Sequence, residues 1–259
     1  MPRVRLDSLL AERGLFASRS RAAAAVMAGE VRVADRRALK PGQLTDPAAE
    51  IVVDAAPAYV SRGGVKLANA LDALGVPVAA RDCLDAGAST GGFTDCLLQR
   101  GAERVIALDV AYGELDYRLR QDPRVTVIER TNARSVAELP FPPSLIVMDL
   151  SFISLRKVLP AVLALAAAAF DCLAMVKPQF EVGRSRVGKG GVVRDPALRR
   201  SAVADVAACG VSLGCSVMGF AASGLPGPAG NLETFAWLAE GGRPGAVEDV
   251  AAAVEAAAS

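Results

Sequence analysis

An acid beside a glycine-rich turn is the first group of residues in this chain that could do chemistry. Asp85 precedes Gly87, Gly91 and Gly92. A second acid, Asp109, follows the turn by about 20 residues, a spacing at which a carboxylate can accept hydrogen bonds from ribose hydroxyls. Glycines let a ligand approach the backbone closely. The segment therefore predicts a nucleotide-type pocket, although a strand-helix corner without a ligand would show the same pattern.

The turn differs from the glycine pattern of dinucleotide-binding proteins. That pattern, Gly-x-Gly-x-x-Gly, holds a pyrophosphate at the start of a helix, whereas here the acid Asp85 opens the turn. A carboxylate suits a ligand with a cationic amine or sulfonium better than one with a phosphate. The turn therefore favours S-adenosylmethionine over NAD, and these residues alone leave both open.

A second group of chemical side chains follows two later apolar segments. Asp149 comes directly after residues 144–148, and Lys177 comes directly after residues 171–176. If the segments are neighbouring strands, the two side chains share one crevice and hold each other ionised, while a second lysine nearby would favour the neutral amine that a base requires. The chain has no histidine. Ser-His-Asp and Cys-His catalysis are thus excluded, and the general base must be Asp, Glu, Lys, Tyr or Cys.

Apolar segments and helical periodicity alternate through most of the chain. Strands are predicted at residues 83–84, 104–108, 125–128, 144–148, 171–176, 215–220 and 232–238. Helices are predicted at residues 65–71, from a cap at Ser89 or Thr90 to residue 100, and at 155–170, 196–209 and 247–258. This alternation predicts an α/β fold with a doubly wound, Rossmann-like sheet, in which ligands lie beyond the carboxyl ends of the strands. Asp85, Asp109, Asp149 and Lys177 all fall at those predicted ends.

The first 53 residues have a different pattern. Leucines at positions 6, 9 and 10 share one face of a helix predicted over residues 5–13. Ser18 is predicted to cap a second helix, over residues 19–28, that ends at Gly29. Short strands are predicted at residues 31–33 and 51–53, with a turn at 35–37. The pattern predicts a small, separate α+β module.

Charge is distributed unevenly along a chain whose formal net charge is only +1. Residues 1–45 carry nine Lys/Arg and four acids, and residues 184–200 carry six basic residues and one acid. Such clusters predict local contact with an anionic partner, with solvated arginine-rich faces as the alternative. The five cysteines form no Cys-x-x-Cys, no signal peptide is evident, and the longest apolar run is too short to cross a bilayer. These features predict a reduced, cytoplasmic location without a membrane segment.

The N-terminal pattern resembles an S4 RNA-binding domain. The residues that carry the resemblance are Arg5-Leu6-Asp7, Arg13-Gly14-Leu15, Ser18-Arg19, Gly29-x-Val31-x-Val33 and Lys40-Pro41-Gly42, and they cover nearly all of residues 3–54. Such domains bind structured RNA through a basic helix edge. The resemblance therefore implies RNA contacts from Arg5, Arg19, Arg21 and Lys40.

The later motifs resemble the TlyA family, whose members join an S4 domain to an FtsJ-like methyltransferase domain. These motifs are Tyr59-Val60-Ser61-Arg62-Gly63-Gly64-x-Lys66, Asp85-x-Gly87-x-Ser89-Thr90-Gly91-Gly92-Phe93, Asp149-x-Ser151-Phe152, Val176-Lys177-Pro178, Gly188-Lys189-Gly190-Gly191 and Gly230-Asn231-x-Glu233. The resemblance implies an S4-like domain at residues 1–56, a linker at 57–64 and a methyltransferase domain at 65–259. It also implies methyl transfer from S-adenosylmethionine to a ribose 2′-hydroxyl of ribosomal RNA, with cytidine as the nucleoside and ribosomal subunits as partners.

The family resemblance assigns roles to individual residues. FtsJ-like enzymes use a Lys-Asp-Lys-Glu tetrad, which falls on Lys66, Asp149, Lys177 and Glu233, with Lys177 as the base and no metal. The resemblance implies cofactor contacts from Asp85, Gly87, Ser89, Gly91, Gly92, Phe93, Asp109 and Asn132. It implies further RNA contacts from Arg62, Arg184, Arg186 and Lys189, against the alternative that residues 184–194 form a mobile surface loop.

Three other functions compete with this interpretation. The first is an RNA-binding or ribosome-assembly factor that keeps the methyltransferase fold without activity, which the complete tetrad disfavours. The second is a haemolysin, a label that some family members carry, although no segment here resembles a membrane-inserting one. The third is an NAD-dependent enzyme, which the glycine turn and the two lysines fit poorly.

Overall fold

The computed structural model describes residues 3–28, 30–53 and 58–258. The chain divides into two compact units, Met1–Ala58 and Tyr59–Ser259. The predicted helix end at Gly29 and residue 57, the first of the predicted linker, lie outside the described residues. The domain boundaries at residues 56 and 65 stay a prediction.

The first unit combines two helices with five short strands. In chain order its elements are β1 (Val4–Arg5), α1 (Leu6–Glu12), α2 (Arg19–Ala28), β2 (Val31–Val33), β3 (Arg36–Arg37), β4 (Leu44–Thr45) and β5 (Ile51–Val53). Strand β1 pairs with β4, and β2 lies between β3 and β5, all antiparallel. Leu6 and Leu10 pack with Val26 and Val31 in a small buried core.

Both predicted helices of this unit are confirmed. The Ser18 hydroxyl accepts a hydrogen bond from the Arg21 amide at 3.2 Å and so caps α2. The predicted turn at residues 35–37 is wrong in extent. The turn lies at Ala34–Asp35, whose φ angles of 48° and 61° are left-handed, and the next two residues form β3 because pairing with β2 satisfies their backbone groups.

The second unit is a three-layer α/β domain. In chain order its elements are α3 (Arg62–Leu74), β6 (Asp82–Ala86), α4 (Gly92–Gln99), β7 (Arg104–Leu108), α5 (Tyr117–Arg120), β8 (Val125–Ile128), β9 (Leu145–Met148), α6 (Leu159–Leu163), β10 (Asp171–Val176), α7 (Pro178–Glu181), α8 (Pro196–Ser212), β11 (Ser216–Ala222), β12 (Thr234–Ala239) and α9 (Val250–Ala257). Single 3₁₀ turns lie at Leu155–Lys157 and Arg184–Arg186.

Seven strands form the central sheet in the order β11-β12-β10-β9-β6-β7-β8. All are parallel except β12, which is antiparallel to both of its neighbours. Leu84, Ile106 and Ile146 point to the layer that contains α6, α8 and α9, whereas Cys83 and Val105 point to the layer of α3, α4 and α5. Apolar side chains on both faces explain why the strands are continuous apolar runs. The predicted doubly wound, Rossmann-like fold is confirmed.

The helix predicted over residues 155–170 is wrong. The segment forms a 3₁₀ turn, the five-residue helix α6 and then turns up to β10. Pro160 lies in the first turn of α6, where its missing N–H costs no hydrogen bond, but a helix passing through this position would lose one. The long alanine-rich run therefore gave a misleading helical signal.

Two helix starts also differ from prediction. Helix α3 begins at Arg62 rather than residue 65, since the Ser61 hydroxyl accepts the Gly63 amide as an N-cap. Helix α4 begins after Gly91, whose φ of 96° is left-handed, so neither Ser89 nor Thr90 caps it. The Ser89 hydroxyl instead donates to Glu114. Both differences lie beside the candidate site described next.

Candidate active site

Three strands deliver chemical side chains to one edge of the central sheet. Asp149 and Lys177 follow the parallel neighbours β9 and β10. Because β12 is antiparallel to β10, with Thr234 opposite Val176, the residue before β12 comes to this same edge. That residue is Glu233. The sequence prediction that Asp149 and Lys177 meet at one edge is confirmed.

Four side chains at this edge form two ion pairs. Lys177 Nζ lies 2.5 Å from Asp149 Oδ1, and Lys66 Nζ, from α3, lies 2.5 Å from Glu233 Oε2. The Lys66–Glu233 pair is almost completely buried, with side-chain exposures of 8% and 1%. All four residues line one cavity of about 370 Å³. Two lysine and two carboxylate side chains therefore face the same open cavity.

Ser151 is a member of the site to which the sequence analysis gave no role. Its hydroxyl accepts a hydrogen bond from Lys177 Nζ at 3.0 Å. Lys177 Nζ is thus held by an ion pair with Asp149 and a hydrogen bond to Ser151, and both contacts restrict its orientation in the cavity. The Asp149-x-Ser151 spacing could have indicated that Ser151 belongs to the site, because residues two positions apart in an extended segment lie on the same side.

The glycine-rich turn lies directly against the Asp149 segment. Gly87 has a φ of 92°, and a Cβ atom there would lie 2.5 Å from the Asp149 carbonyl oxygen. The Gly87 amide donates to Leu108 O at 2.8 Å. A side chain is thus excluded by both the backbone angle and the neighbouring strand. The turn leaves its surface open for a ligand between itself and Lys177.

A second cavity, of about 570 Å³, continues from the first on the other side of the turn. The two cavities share Gly87, Ser89 and Asp149. Asp109 lines the second cavity, and its carboxylate accepts the amides of Ser89 and Ala111, each at 2.8 Å. Asn132 also lines it. An elongated site of this kind suits a ligand that combines a nucleoside with an amino acid.

The other predicted cofactor residues are divided between the cavity walls and the layer behind them. Gly92 and Phe93 line the first cavity. Gly91 lies behind the turn, where its amide donates to Ala88 O and an added Cβ would meet Leu119 at 2.3 Å. Asp85 also lies behind it. Alternation along β6 turns Asp85 toward α4, where Oδ2 accepts the Thr94 hydroxyl at 2.7 Å.

Asp85 is a carboxyl group with no exposed surface and with one oxygen, Oδ1, that has no hydrogen-bond partner. Burial raises its pKa to about 7, the hydrogen bond from Thr94 opposes this rise, and the charge of Asp149 adds to it. The group is thus protonated more readily in the folded chain than in the unfolded one.

This difference predicts that Asp85 makes the folded state less stable as the pH rises. Between its ordinary pKa of 3.8 and the folded value of about 7, the folded chain holds a proton that the unfolded chain has lost. Stability present below pH 4 is therefore lost toward pH 7, at up to about 1.4 kcal/mol per pH unit. Urea unfolding of the wild type and Asp85→Asn at pH 5 and pH 7 checks this. Their difference in unfolding free energy should change by roughly 2–3 kcal/mol, and a pH-independent difference contradicts it.

Basic residues in the second unit fall into two groups. Many arginines pair with carboxylates; these pairs include Arg81–Asp171, Arg100–Asp72, Arg104–Asp82, Arg124–Asp122 and Arg243–Glu240. By contrast, Arg184, Arg186 and Lys189 are exposed and form no ion pair within the described parts of the chain. Arg62 lines the first cavity, and its guanidinium donates to Pro226 O at 2.8 Å. The predicted RNA-contacting residues of this unit thus keep their charges available for another partner.

The predicted RNA-contacting residues of the first unit differ from one another. Arg5 and Arg19 both pair with Asp7, at 2.8 and 3.2 Å. The hydrogen bond from Arg5, followed by the contact with Arg19, holds the pKa of Asp7 well below its usual range although the carboxyl is buried. Arg21 and Lys40 are exposed and form no ion pair within the described part of this unit. Arg5 and Arg19 are therefore oriented by a shared carboxylate, whereas Arg21 and Lys40 are not.

Comparison with protein families assigns both units. A sequence model of the S4 domain matches residues 4–51, and a sequence model of the FtsJ-like methyltransferases matches residues 59–240. The second match covers most of the chain and includes all four residues of the two ion pairs. The site therefore belongs to a methyltransferase domain.

Individual relatives match over nearly the full length. A 16S/23S rRNA (cytidine-2'-O)-methyltransferase TlyA from Mycobacterium tuberculosis is 51% identical, over 91% of this chain and 90% of the relative. Hemolysin A from Brachyspira hyodysenteriae is 38% identical, over 90% of this chain and 98% of the relative. A solved structure from Streptococcus thermophilus that carries a hemolysin name has a TM-score of 0.73 and 39% identity, covering 98% of this chain and 95% of that one. The chain belongs to the TlyA family of S4-containing, FtsJ-like methyltransferases.

Two further features of the structure concern membranes and metals. In residues 3–28, 30–53 and 58–258, no helix is both long and apolar enough to span a bilayer. In the same residues, no cluster of three Cys, Asp or Glu side chains could hold a metal ion. The five cysteines are free thiols, three of them buried.

Proposed function

We propose that this protein transfers a methyl group from S-adenosylmethionine to a ribose 2′-hydroxyl of ribosomal RNA, with cytidine as the nucleoside. One observation carries the proposal: two lysine–carboxylate pairs face a single cavity beside an open glycine turn. The name of the Mycobacterium tuberculosis relative supports the substrate and the nucleoside. The proposal also places the protein in the cytoplasm, where ribosomal RNA is found.

The residues that would hold the cofactor fit its chemistry. When bound, S-adenosylmethionine supplies an electrophilic methyl group on a sulfonium. Gly87, Gly92 and Phe93 shape the side of the site that accepts its amino-acid part, and the Asp149 carboxylate favours a cation there. Asp109 and Asn132 line the side that accepts its nucleoside. Asp85 and Gly91 lie on the side of the turn away from the cavity and help to fix the shape of the turn.

Lys177 is the proposed general base. In the neutral amine form that a base requires, its Nζ receives the proton of the ribose hydroxyl, and Asp149, 2.5 Å away, stabilises the ammonium that forms. Ser151 fixes the orientation of Nζ. Lys66, held by Glu233, adds a positive charge that faces the same cavity and favours the hydroxyl oxygen as it becomes anionic.

RNA recognition is assigned to basic residues of both units. In the S4 unit these are Arg5, Arg19, Arg21 and Lys40, and in the methyltransferase unit they are Arg62, Arg184, Arg186 and Lys189. Exposed arginines and lysines bind phosphates through charge and hydrogen bonds. Apart from Arg5 and Arg19, which share Asp7, these side chains form no ion pair within the described residues. Their unpaired charges support ribosomal subunits, or the RNA within them, as the partner.

A labelling experiment tests the reaction. The protein is incubated with methyl-labelled S-adenosylmethionine and, separately, small and large ribosomal particles that lack the modification, and the RNA is then hydrolysed in alkali. A methylated 2′-oxygen cannot attack its phosphate, so the modified linkage survives as a gap in the ladder. Label in RNA at an alkali-resistant linkage supports the proposal. Label on a base, or RNA binding without any label, would point to a different reaction or to a non-catalytic factor.

A further inference from the structure

The segment after α7 forms an exposed loop, here called the basic loop and defined as residues 183–195. It carries Arg184, Arg186, Lys189 and Arg194, all exposed and none in an ion pair within the described residues. Gly190 and Gly191 both have left-handed φ angles, of 80° and 78°. Like charges repel and glycines add conformational freedom, so this loop needs an anchor to keep one shape.

Val193, within the loop, is buried in the main core. The polar anchor is Asn231, whose side chain is held in the protein interior with 1% exposure. Its Oδ1 accepts the amide of Val193 at 2.9 Å, and its Nδ2 donates to Gly191 O at 2.8 Å. The reverse orientation of the amide would place two donors together and two acceptors together. The oxygen and the nitrogen of the Asn231 side-chain amide thus both form hydrogen bonds with the backbone of the basic loop.

The same residue also organises the wall of the catalytic cavity. The Asn231 carbonyl accepts the Gly227 amide at 2.8 Å and closes a turn whose prolines, Pro226 and Pro228, line that cavity. Glu233, the partner of Lys66, follows two positions later. Asn231 is thus fixed in the segment that leads into the catalytic edge, while its side chain holds the basic loop.

We propose that the basic loop binds RNA and that Asn231 is a positioning residue, which fixes this loop relative to the catalytic lysine–carboxylate pairs. This inference rests on the proposed function in that RNA is the substrate. Asn231 lines neither cavity. Loss of its side-chain contacts should therefore weaken RNA binding while cofactor binding stays unchanged.

The variant Asn231→Asp tests this with almost no change in shape. Aspartate keeps the acceptor for Val193 but replaces the donor to Gly191 O with an oxygen, so two acceptors face each other. The control is Asn69→Asp, at an exposed position. Asn69 Nδ2 donates to Ser223 O at 3.0 Å, so this change also removes one amide donor to a carbonyl, in the segment before Glu233 but away from the basic loop.

Limited trypsin digestion of the protein without RNA measures how accessible the basic loop is to the protease. In Asn231→Asp we expect initial cleavage to be about tenfold faster after each basic residue of the loop, namely Arg184, Arg186, Lys189 and Arg194. Leaving one buried hydrogen-bonding group unsatisfied usually changes an equilibrium by about this factor. Calorimetry should give a cofactor Kd within about twofold of the wild type, which also shows that the variant is folded. The control should match the wild type in both measurements.

Steady-state methylation then separates RNA binding from chemistry. We expect KM for RNA to rise about tenfold in Asn231→Asp, with a smaller change in kcat and no such rise in Asn69→Asp. Wild-type cleavage rates or a wild-type KM in Asn231→Asp would overturn the proposal, and so would a parallel loss of cofactor affinity. Absence of methylation by the wild type would instead overturn the proposed function, and the digestion would still decide whether Asn231 anchors the loop.

Discussion

Replacement of Lys177 by alanine is expected to lower the rate of methyl transfer by about 10²–10⁴-fold, the usual contribution of a positioned general base. The physical reason is that Lys177 Nζ is the group that takes the hydroxyl proton, and the neighbouring Ser151 hydroxyl is not basic enough to replace it. Single-turnover transfer of labelled methyl to RNA measures the effect without interference from product release.

The same variant should bind the cofactor nearly as well as the wild type does. The turn and Asp109 lie on other strands and keep their contacts. Lys157→Ala is the matched control, because Lys157 is an exposed lysine without an ion pair in the described residues, and it should retain full activity. If Lys177→Ala lost cofactor binding and transfer to the same extent, the assignment of Lys177 as the base would be wrong.

The second large effect is expected on stability, at the buried Lys66–Glu233 pair. Lys66→Met leaves the Glu233 carboxylate, 1% exposed, without its partner. Breaking a buried ion pair in this way costs about 3–5 kcal/mol, because an uncompensated charge stays in a poorly solvated site. Replacing both partners, in Lys66→Met/Glu233→Gln, should restore most of that stability, since no buried charge is left. Methyl transfer should remain impaired in both variants.

Urea unfolding of Lys66→Met, Glu233→Gln and the double variant measures this. The control is Asp72→Asn, which removes the partner of Arg100 from an ion pair whose carboxylate is 68% exposed. That change should leave the free energy of unfolding close to the wild-type value, because water and salt screen an exposed ion pair. A double variant as unstable as the sum of the single variants would show that the two side chains are not energetically coupled.

Much of the catalytic unit could be predicted from local sequence. The strands at residues 104–108, 125–128 and 171–176 are continuous apolar runs bounded by polar residues, and the structure confirms their limits. The glycines at 87 and 91 marked the turn because left-handed backbone there excludes other residues. Asp149 and Lys177 could be placed together because neighbouring parallel strands end at one edge.

Other predictions failed because tertiary structure overrode a local signal. The alanine-rich run at residues 155–170 has high helix propensity, but Pro160 prevents α6 from extending back toward residue 155. Beyond α6, the Ala167 amide donates to Pro143 O rather than to a carbonyl of its own turn. Asp85 looked like a ligand of the pocket, but alternation along β6 turns its carboxyl into the layer of α4. Arg5 and Arg19 remain predicted RNA contacts, and no local signal indicated that Asp7 pairs with both of them.

The sequence by itself determined which residue types reach the carboxyl ends of the strands, since that depends only on where apolar runs stop. The family resemblance implied that Glu233 joins them, but only the tertiary structure shows how it does so. Strand β12 runs antiparallel to β10 and brings its first residues to the same edge. The contacts of Ser151 with Lys177 and of Asn231 with the basic loop were decided in the same way. Hydrogen bonds between segments 26 and 38 residues apart depend on how the strands are ordered in space, which no local pattern encodes.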